Sequence, residues 1–406
     1  MTTTQFIEQY RESDISDVAL RVRQFPEVDA AFALQQIEGW QHLNRKLPSI
    51  ACQEDWHFPK RLSLEQCSSE KTAMYKREIV RPLLPTNAVG ADLTGGLGAD
   101  TFFLSPLFAH WDYVEQDTEL CQLAEHNLTG NSVQVHNNNA GQFLSLNKDK
   151  HYSLIFIDPA RRDSKGRKMV RLADCQPDII SLYPTLVCIT DWLLLKLSPM
   201  HDLREALHNL NTATEAHVVS VDGEVKELLI LCHTSSETLI DTDNVKIYAT
   251  NISKISQQPL TFTYAEESDA QYERASSIAE GDLVYEPNAA ILKAGAFRTV
   301  ANRYGLLKAD HNTHLYIGSA RTKENKENNT YTTSEFPGRV FVVEKTLTRH
   351  DRQQLAGTAA NVICRNYPVK ADQLRKQLKT KDGGDRFIIG LRLQGKPLLL
   401  LCTKKQ

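Results

Sequence analysis

The chain has 406 residues, 24% of them charged, a net charge of −3 and eight cysteines with no C-x-x-C pair. That length gives about two to four domains, each able to bury a core, and the balanced charge imposes no global basic footprint for nucleic acid, although a local patch suffices. Scattered thiols argue against a disulfide frame or a zinc site, and the scattered histidines give no metal-ligand spacing, so no metal is expected. The N-terminus is polar where a signal peptide needs an apolar run, and no apolar segment reaches about 18 residues; a cytoplasmic protein outside the membrane is the expectation.

Residues 1–70 read as an auxiliary helical segment. Phe6, Tyr10, Ile15, Val18, Ala19 and Val22 approximate helix spacing, with Ser13 and Asp14 as cap residues. Pro26 punctuates, and residues 29–40 carry Ala30, Phe32, Leu34 and Ile37 on a second amphipathic helix. Residues 50–58 are short and ambiguous. From Ser63 the chain leads into a helix ending near Arg81-Pro82. On it Ser68, Lys71 and Tyr75 either line a ligand mouth or belong to a capped helix packed on a sheet.

The rest is organised around residues 89–100. A short apolar approach runs into Asp92, then Thr94, Gly95, Gly96 and Gly98, then a helix-compatible segment opened by Asp100. Missing β-carbons at the three glycines allow unusual φ values and close approach to a ligand, and a helix start behind the loop supplies unpaired N–H groups. A second strand, 111–117, ends in Glu115 and Asp117, and carboxylates at such a strand end can accept both hydroxyl hydrogens of a ribose. Residues 133–137 form a third strand, followed by Asn138, Asn139 and Ala140. Residues 152–157 form an apolar buried strand that ends in Asp158-Pro159-Ala160-Arg161-Arg162-Asp163.

Strand, glycine turn, helix, acidic strand end, polar strand end, and strand with Asp-Pro: that order resembles a class I S-adenosylmethionine (SAM) dependent methyltransferase over residues 71–235. Beyond Asp163 the run Ser164-Lys165-Gly166-Arg167-Lys168, with Arg161, Arg162 and Arg171, forms a basic loop. Such a run is either a solvated surface or a phosphate-binding patch beside a flipped base. Residues 193–197 make another apolar strand before Ser198-Pro199, a helix through Leu203, Ala206 and Leu207 follows, and 217–221 with 224–231 look like an antiparallel closing pair. The result is a buried parallel sheet with helices on both faces, its ligands beyond the carboxyl ends of the strands.

Past Thr234 the character changes. Residues 244–253 and 257–265 alternate as strands, 286–297 reads as a helix with an early proline, 315–317 as a strand and 323–329 as a charged linker. From Tyr331 the expected order is strand 340–343, helix 350–355, strand 362–364, helix 371–378 and strands 387–391 and 398–402: a two-layer α/β module without an acid/base cluster, read as a binding domain.

The whole chain is similar to the bacterial THUMP-like-domain methyltransferases, of Bacteroidetes type. The similarity is carried by 68–73, 92–100, 158–162, 196–199 and 286–295. The resemblance implies an α/β fold: a Rossmann-like class I methyltransferase sheet (71–235) behind the helical N-terminal segment (1–70), a ferredoxin-like α+β unit (236–325) and a C-terminal THUMP-like α/β domain (326–406). It implies SAM as cofactor and a structured RNA, tRNA or rRNA, gripped by the last two domains. Chemistry and resemblance together assign Gly95, Gly96 and Gly98, with Thr94 in the same loop, to the methionine portion of SAM. Asp92 goes to its amino group, Glu115 to the ribose with Asp117 in reserve, and Asn139 to the adenine edge.

Asp158, Pro159 and Arg161 form the expected catalytic set. Amino-methylating enzymes carry Asp/Asn-Pro-Pro-aromatic there, and Ala160 and Arg161 depart from that pattern, although a guanidinium stacks on a base. Asp-Pro-Ala-Arg also resembles the uridine C5-methyltransferases of RNA. Those need a cysteine just past the next strand, where this chain has Ser198-Pro199; Cys175 and Cys188 lie between the strands and are expected to be buried. Aligning nucleophile, methyl carbon and sulfur is then most of the work, with Asp158 orienting the amine and Arg161 holding base or phosphate. The alternative is a SAM- or RNA-binding module with little or no catalysis. An NAD-dependent oxidoreductase fits the loop and Asp158-Pro159 less well.

Overall fold

The computed structural model describes residues 1–128, 130, 132–161, 171–235, 240–253, 258–318 and 335–405, without the side chains of 61–63 and 161. The expected basic loop around 164–168 and the linker at 323–329 lie outside the described residues. The chain divides into two compact units, 1–215 with 226–240, and 216–225 with 241–406.

The first unit opens with helices α1 (Thr3–Tyr10), α2 (Ile15–Arg21), α3 (Ala30–Lys46), α4 (Pro48–Ala51), α5 (Arg61–Gln66) and α6 (Glu70–Val80). Thr2, Asp14, Asp29 and Ser69 accept backbone N–H groups at the starts of α1, α2, α3 and α6, which satisfies donors a helix start leaves open. Phe6, Val18, Val22, Ala33 and Ile37 form a small apolar core of their own. The helix expected to end near Arg81-Pro82 is α6; it starts only after Ser69, because the chain extends at Cys67 between α5 and α6.

Strands β1 (Val89–Asp92), β2 (His110–Glu115), β3 (Val133–Asn137) and β4 (Tyr152–Ile157) alternate with α7 (Ala99–Leu104), α8 (Thr118–Asn127) and α9 (Ala140–Leu146). The short β5 (Ala160–Arg161) and β6 (Cys175–Gln176), α10 (Ile179–Ile189), β7 (Thr190–Leu197) and α11 (Leu203–His208) follow. The parallel strands run β7-β4-β1-β2-β3, and the outer part of β9 (Glu224–His233) pairs antiparallel with β7. Ala91, Trp111, Tyr113, Phe156 and Leu193 to Leu195 are almost wholly buried, as strands covered on both faces require. The chain leaves β1 toward β2 and β3 and returns to β4 on its other side. A topological switch point therefore lies at the carboxyl ends of β1 and β4.

In the second unit β10 (Lys246–Ile252) lies between β11 (Leu260–Phe262) and β8 (Ala213–Val221), which enters this unit from Ala216. Residues 264–269 are α12 (Tyr264–Asp269), capped by Thr263, so the strand expected over 257–265 stops before Tyr264. A seven-stranded sheet follows, in the order β13-β14-β12-β15-β18-β17-β16. Its strands are β12 (Leu283–Pro287), β13 (Leu307–Asp310), β14 (Thr313–Gly318), β15 (Gly338–Thr346), β16 (Asn361–Cys364), β17 (Arg386–Leu393) and β18 (Lys396–Lys404). Helices α13 (Ala289–Ala294), α14 (Phe297–Arg303), α15 (Arg349–Gln354) and α16 (Ala371–Leu378) lie between them in the chain. The helix expected over 286–297 is corrected. Glu286 and Pro287 complete β12, Asn288 caps α13, and Gly295 ends it at φ +84°. Ladder hydrogen bonds claim the backbone of Glu286 before the helix can start.

Among the described residues no helix is long and apolar enough to cross a membrane. None of the eight cysteines is in a disulfide. Cys175 is buried as expected, but Cys188 is exposed.

Candidate active site

β1 delivers Asp92 to the switch point, and the loop after it is tied to neighbouring strands. The Leu93 N–H bonds Phe156 O at 3.0 Å, the Gly95 N–H bonds Val114 O at 2.9 Å, and the Gly96 N–H donates to Glu115 Oε2 at 2.9 Å. Tyr113 Oη donates to Gly96 O at 2.6 Å. Gly96 (φ +56°) and Gly98 (φ +82°) take the left-handed backbone that favours glycine. Gly95 does not: a β-carbon there would stand 2.2 Å from the Tyr113 ring. Its missing side chain makes room for a tyrosine rather than for a ligand.

A buried charged network surrounds this loop. Asp92 is 1% exposed; Thr94 N donates to its Oδ1 at 2.9 Å and Thr101 Oγ1 to its Oδ2 at 2.9 Å. Burial, reinforced by Asp100 and Asp158 and opposed by the Thr94 N–H, pushes its carboxyl up to about 7. Asp100 opens α7 and receives the Ser68 hydroxyl at 2.7 Å and Lys76 Nζ at 3.0 Å. Burial works against its ionised form, but Lys76 and Lys196 outweigh it and its pKa falls. Lys76, wholly buried, also reaches both oxygens of Glu227 at 3.0 and 2.8 Å. Burial raises the Glu227 carboxyl despite that lysine. Lys196, at the end of β7, pairs with Asp158 and lies 3.8 Å from Asp100. Burial opposes its charge, yet Asp158, Asp100 and Glu227 hold its pKa above the usual lysine range.

The expected residues distribute as follows. Hydrogen bonds join Thr94 to Asp92 and to Asp158, whose N–H reaches Thr94 Oγ1 at 2.7 Å. They also join Glu115 to Gly96 and to Asp117, whose N–H reaches Glu115 Oε1 at 2.9 Å; Gly95 bonds Val114 and Gly98 instead. Gly98 sits at the start of α7. Asp117 caps α8 through the N–H groups of Glu119 and Leu120, and Asn139 caps α9 by accepting the Gln142 N–H at 2.9 Å. Pro159 is buried behind Asp158, and the Arg161 side chain lies outside what is described. Of the group proposed for a ligand mouth, Ser68 is buried in the charged network. Lys76 and Glu227 escaped sequence reasoning. The only signal was a charged residue at the head of an apolar strand, Glu227 before 228–232.

The arrangement is acid-rich: Asp100, Asp158 and Glu227 face the two ammonium groups of Lys76 and Lys196, and Asp92 stands beside Asp100 and Asp158. Such a centre favours a cationic group at its open side, where Asp158 and Glu115 remain partly exposed. Its carboxylate acceptors suit an ammonium or a sulfonium and a pair of ribose hydroxyls.

The second unit has a charged centre of the opposite balance. Glu286 is 2% exposed, accepts Arg339 Nε at 2.9 Å and pairs with Arg365 Nη2 at 2.7 Å. Both guanidinium groups are half-exposed and line a cavity of about 330 Å³ with Asn361, Cys364, Asp382 and Phe387.

Residues 284–324 match the family model of a ferredoxin-like domain and residues 338–404 that of a THUMP-like domain. The crystal structure of a candidate methyltransferase from Porphyromonas gingivalis W83 is 34% identical, with a TM-score of 0.84 over 100% of this chain and 98% of that one. Parts of the chain are also similar to a candidate methyltransferase from Escherichia coli and a candidate rRNA methylase from Clostridium thermocellum. The first is 17% identical, with a TM-score of 0.29 over 41% of this chain and 88% of that one. The second is 12% identical, with a TM-score of 0.31 over 39% and 95%. At those values neither carries an argument. No curated protein matches the sequence.

Proposed function

The chain belongs to the THUMP-like-domain methyltransferase family, and from that premise we propose that it methylates a base in a structured RNA, tRNA or rRNA, using S-adenosylmethionine. The observation that carries this reading is the excess of carboxylates at the switch point of a parallel sheet, beside a loop whose backbone turns at Gly96 and Gly98. When bound, SAM supplies an already activated methyl group on a sulfonium. The rest falls to the chain's own residues. Asp92, through its buried carboxyl or a water, accepts hydrogen bonds from the cofactor's ammonium. Glu115 keeps free lone pairs beside its two backbone donors and accepts the ribose hydroxyls. Asn139 offers its amide nitrogen to the adenine edge while its oxygen caps α9, and Asp117, a cap as well, stays in reserve. Asp158 and Pro159 orient the amine of the target base, and Arg161 holds base or phosphate.

In this reading residues 1–70 support the SAM domain of 71–235, and residues 236–325 and 326–406 grip the RNA. Arg339 and Arg365, positioned by Glu286, meet its phosphates. A cytoplasmic location follows from an RNA substrate.

One observation favours a second reading, a SAM- and RNA-binding module with little catalysis. Asp158 already pairs with Lys196, so part of its acceptor capacity is spent. Calorimetric titration of the full chain with SAM tests what the two readings share. Wild type binds, and Glu115→Ala weakens binding by about tenfold or more, since one charged acceptor of two hydroxyls is worth about 1.5–3 kcal/mol. Absence of SAM binding to the wild type contradicts both.

A further inference from the structure

A second cluster of ligating side chains stands in the first unit, outside the charged centre. Asp55 follows α4 on a turn, His57 lies two residues on, and His126 is in the last turn of α8. Asp55 Oδ1 is 3.8 Å from His57 Nε2, and its Oδ2 is 3.5 Å from His126 Nε2. The two imidazole rings stack with centroids 3.9 Å apart and planes 11° from parallel. Ring lone pairs lie in the ring planes, so joint ligation of one ion turns one ring out of the stack. The ligating atoms of all three residues lie within 4.8 Å of one another.

The cluster is held from outside. Asn127, next to His126, accepts the His57 N–H at 2.8 Å and donates to the His57 carbonyl at 2.8 Å. Phe32 packs its ring edgewise on His57 at 5.1 Å. Asp55 takes a left-handed backbone, φ +62°, rare for a residue with a side chain. Donors about 2.0–2.2 Å from a tetrahedral zinc ion stand roughly 3.3–3.6 Å apart, so the three ligating atoms, now up to 4.8 Å apart, must close by about an ångström on binding, with one Asp55 oxygen turning toward both rings. His126 also lies where the α8 carbonyls end, which favours positive charge. The side chains are 79% (Asp55), 37% (His126) and 32% (His57) exposed, so an ion enters directly from solvent.

We propose that Asp55, His57 and His126 form a site for a divalent first-row metal ion, zinc by its mixed nitrogen and oxygen donors, with water as fourth ligand. Linear spacing conceals it, because two ligands come from one turn and the third from a helix brought there by the fold. Binding replaces the proton that His126 Nε2 shares with the Asp55 carbonyl at 2.7 Å, and that proton moves to Nδ1 or to solvent. The ion then staples the segment between α4 and α5 to α8, whose first residue follows Asp117.

Titrating the full-length chain with cobalt(II), a spectroscopic stand-in for zinc, tests the proposal. A single equivalent with the visible bands of tetrahedral cobalt, without the near-ultraviolet band of a thiolate ligand and displaced by zinc, is the expected result. His57→Ala and His126→Ala each weaken binding by about tenfold or more, whereas Cys52→Ser, at an exposed cysteine nearby, leaves it unchanged. No saturable binding, a thiolate band, or binding unchanged in both histidine variants overturns the site. Where an alanine variant does not fold, diethylpyrocarbonate labelling of the wild type decides. Zinc shields His57 and His126 if they are ligands and leaves their labelling unchanged if they are not.

Discussion

The two charged centres invert each other. In the first unit Asp100 and Glu227 face Lys76 in a nearly dry interior, where Lys76 exposes none of its side chain, and Lys196 joins the partly exposed Asp158 at the rim. In the second unit one buried carboxylate, Glu286, faces two arginines whose side chains are 47% and 41% exposed. An acid excess under a glycine loop suits a cationic ligand, whereas an arginine excess at a surface suits phosphates. The contrast also separates two energetic regimes. Breaking a dry pair leaves a buried charge without compensation, whereas water screens most of the loss at a half-exposed one.

The largest expected effect tests the dry regime. Lys76→Met leaves Asp100 and Glu227 facing each other and lowers unfolding free energy by about 3–5 kcal/mol in urea denaturation. Adding Glu227→Gln restores part of the loss, and a strictly additive double variant would show that the pair is uncoupled.

Asp92 gives the next effect. Its carboxyl rises from about 3.8 to about 7 on folding, so the folded state binds that proton more tightly than the unfolded one. The stability linked to this group is complete below about pH 3.8 and is lost as pH climbs to about 7. Asp92→Asn removes that slope and gains about 2 kcal/mol at pH 8, net of a weakened hydrogen bond. An unchanged slope between those values in thermal melts would refute the assignment.

Glu286→Ala breaks the exposed-side centre at a cost of about 1–2 kcal/mol, less than the Lys76 variant because both arginines can turn to water. If it costs as much as Lys76→Met, the two regimes do not differ. Smallest of all, Arg339→Ala and Arg365→Ala each cost about 0.5–1 kcal/mol, because the buried Glu286 carboxylate keeps the other arginine as partner. Each weakens tRNA binding a few-fold and lowers the salt slope of binding by about one, measured by filter binding across a salt series.

Much of the first unit was legible because its signals are local. Apolar runs ending in Asp92, Glu115 and Asp158 declare buried parallel strands, and the glycines between Asp92 and Asp100 declare a turn. What local pattern cannot carry is partnership. Lys76 and Glu227 are 151 positions apart, and only the fold shows that they meet. Gly95 looked like its neighbours, yet the reason for it is the Tyr113 ring on the next strand. Glu286 and Pro287 read as a helix start because proline favours that position, but pairing of β12 with β15 decided otherwise. The THUMP-like part was legible as alternating strands and helices, whereas the meeting of Arg339 and Arg365 on Glu286 depends on strand order.

Transfer of radiolabelled methyl from SAM to undermodified tRNA, rRNA and total protein, with Asp158→Ala alongside, tests the central claim most directly. Label in one RNA class, lost in the variant, is the result expected of an acid-rich centre that activates nothing but aligns a base against a methyl group. Label confined to protein would contradict the RNA substrate, and no label from a wild-type chain that binds SAM would contradict the enzyme and leave the binding module as the better account.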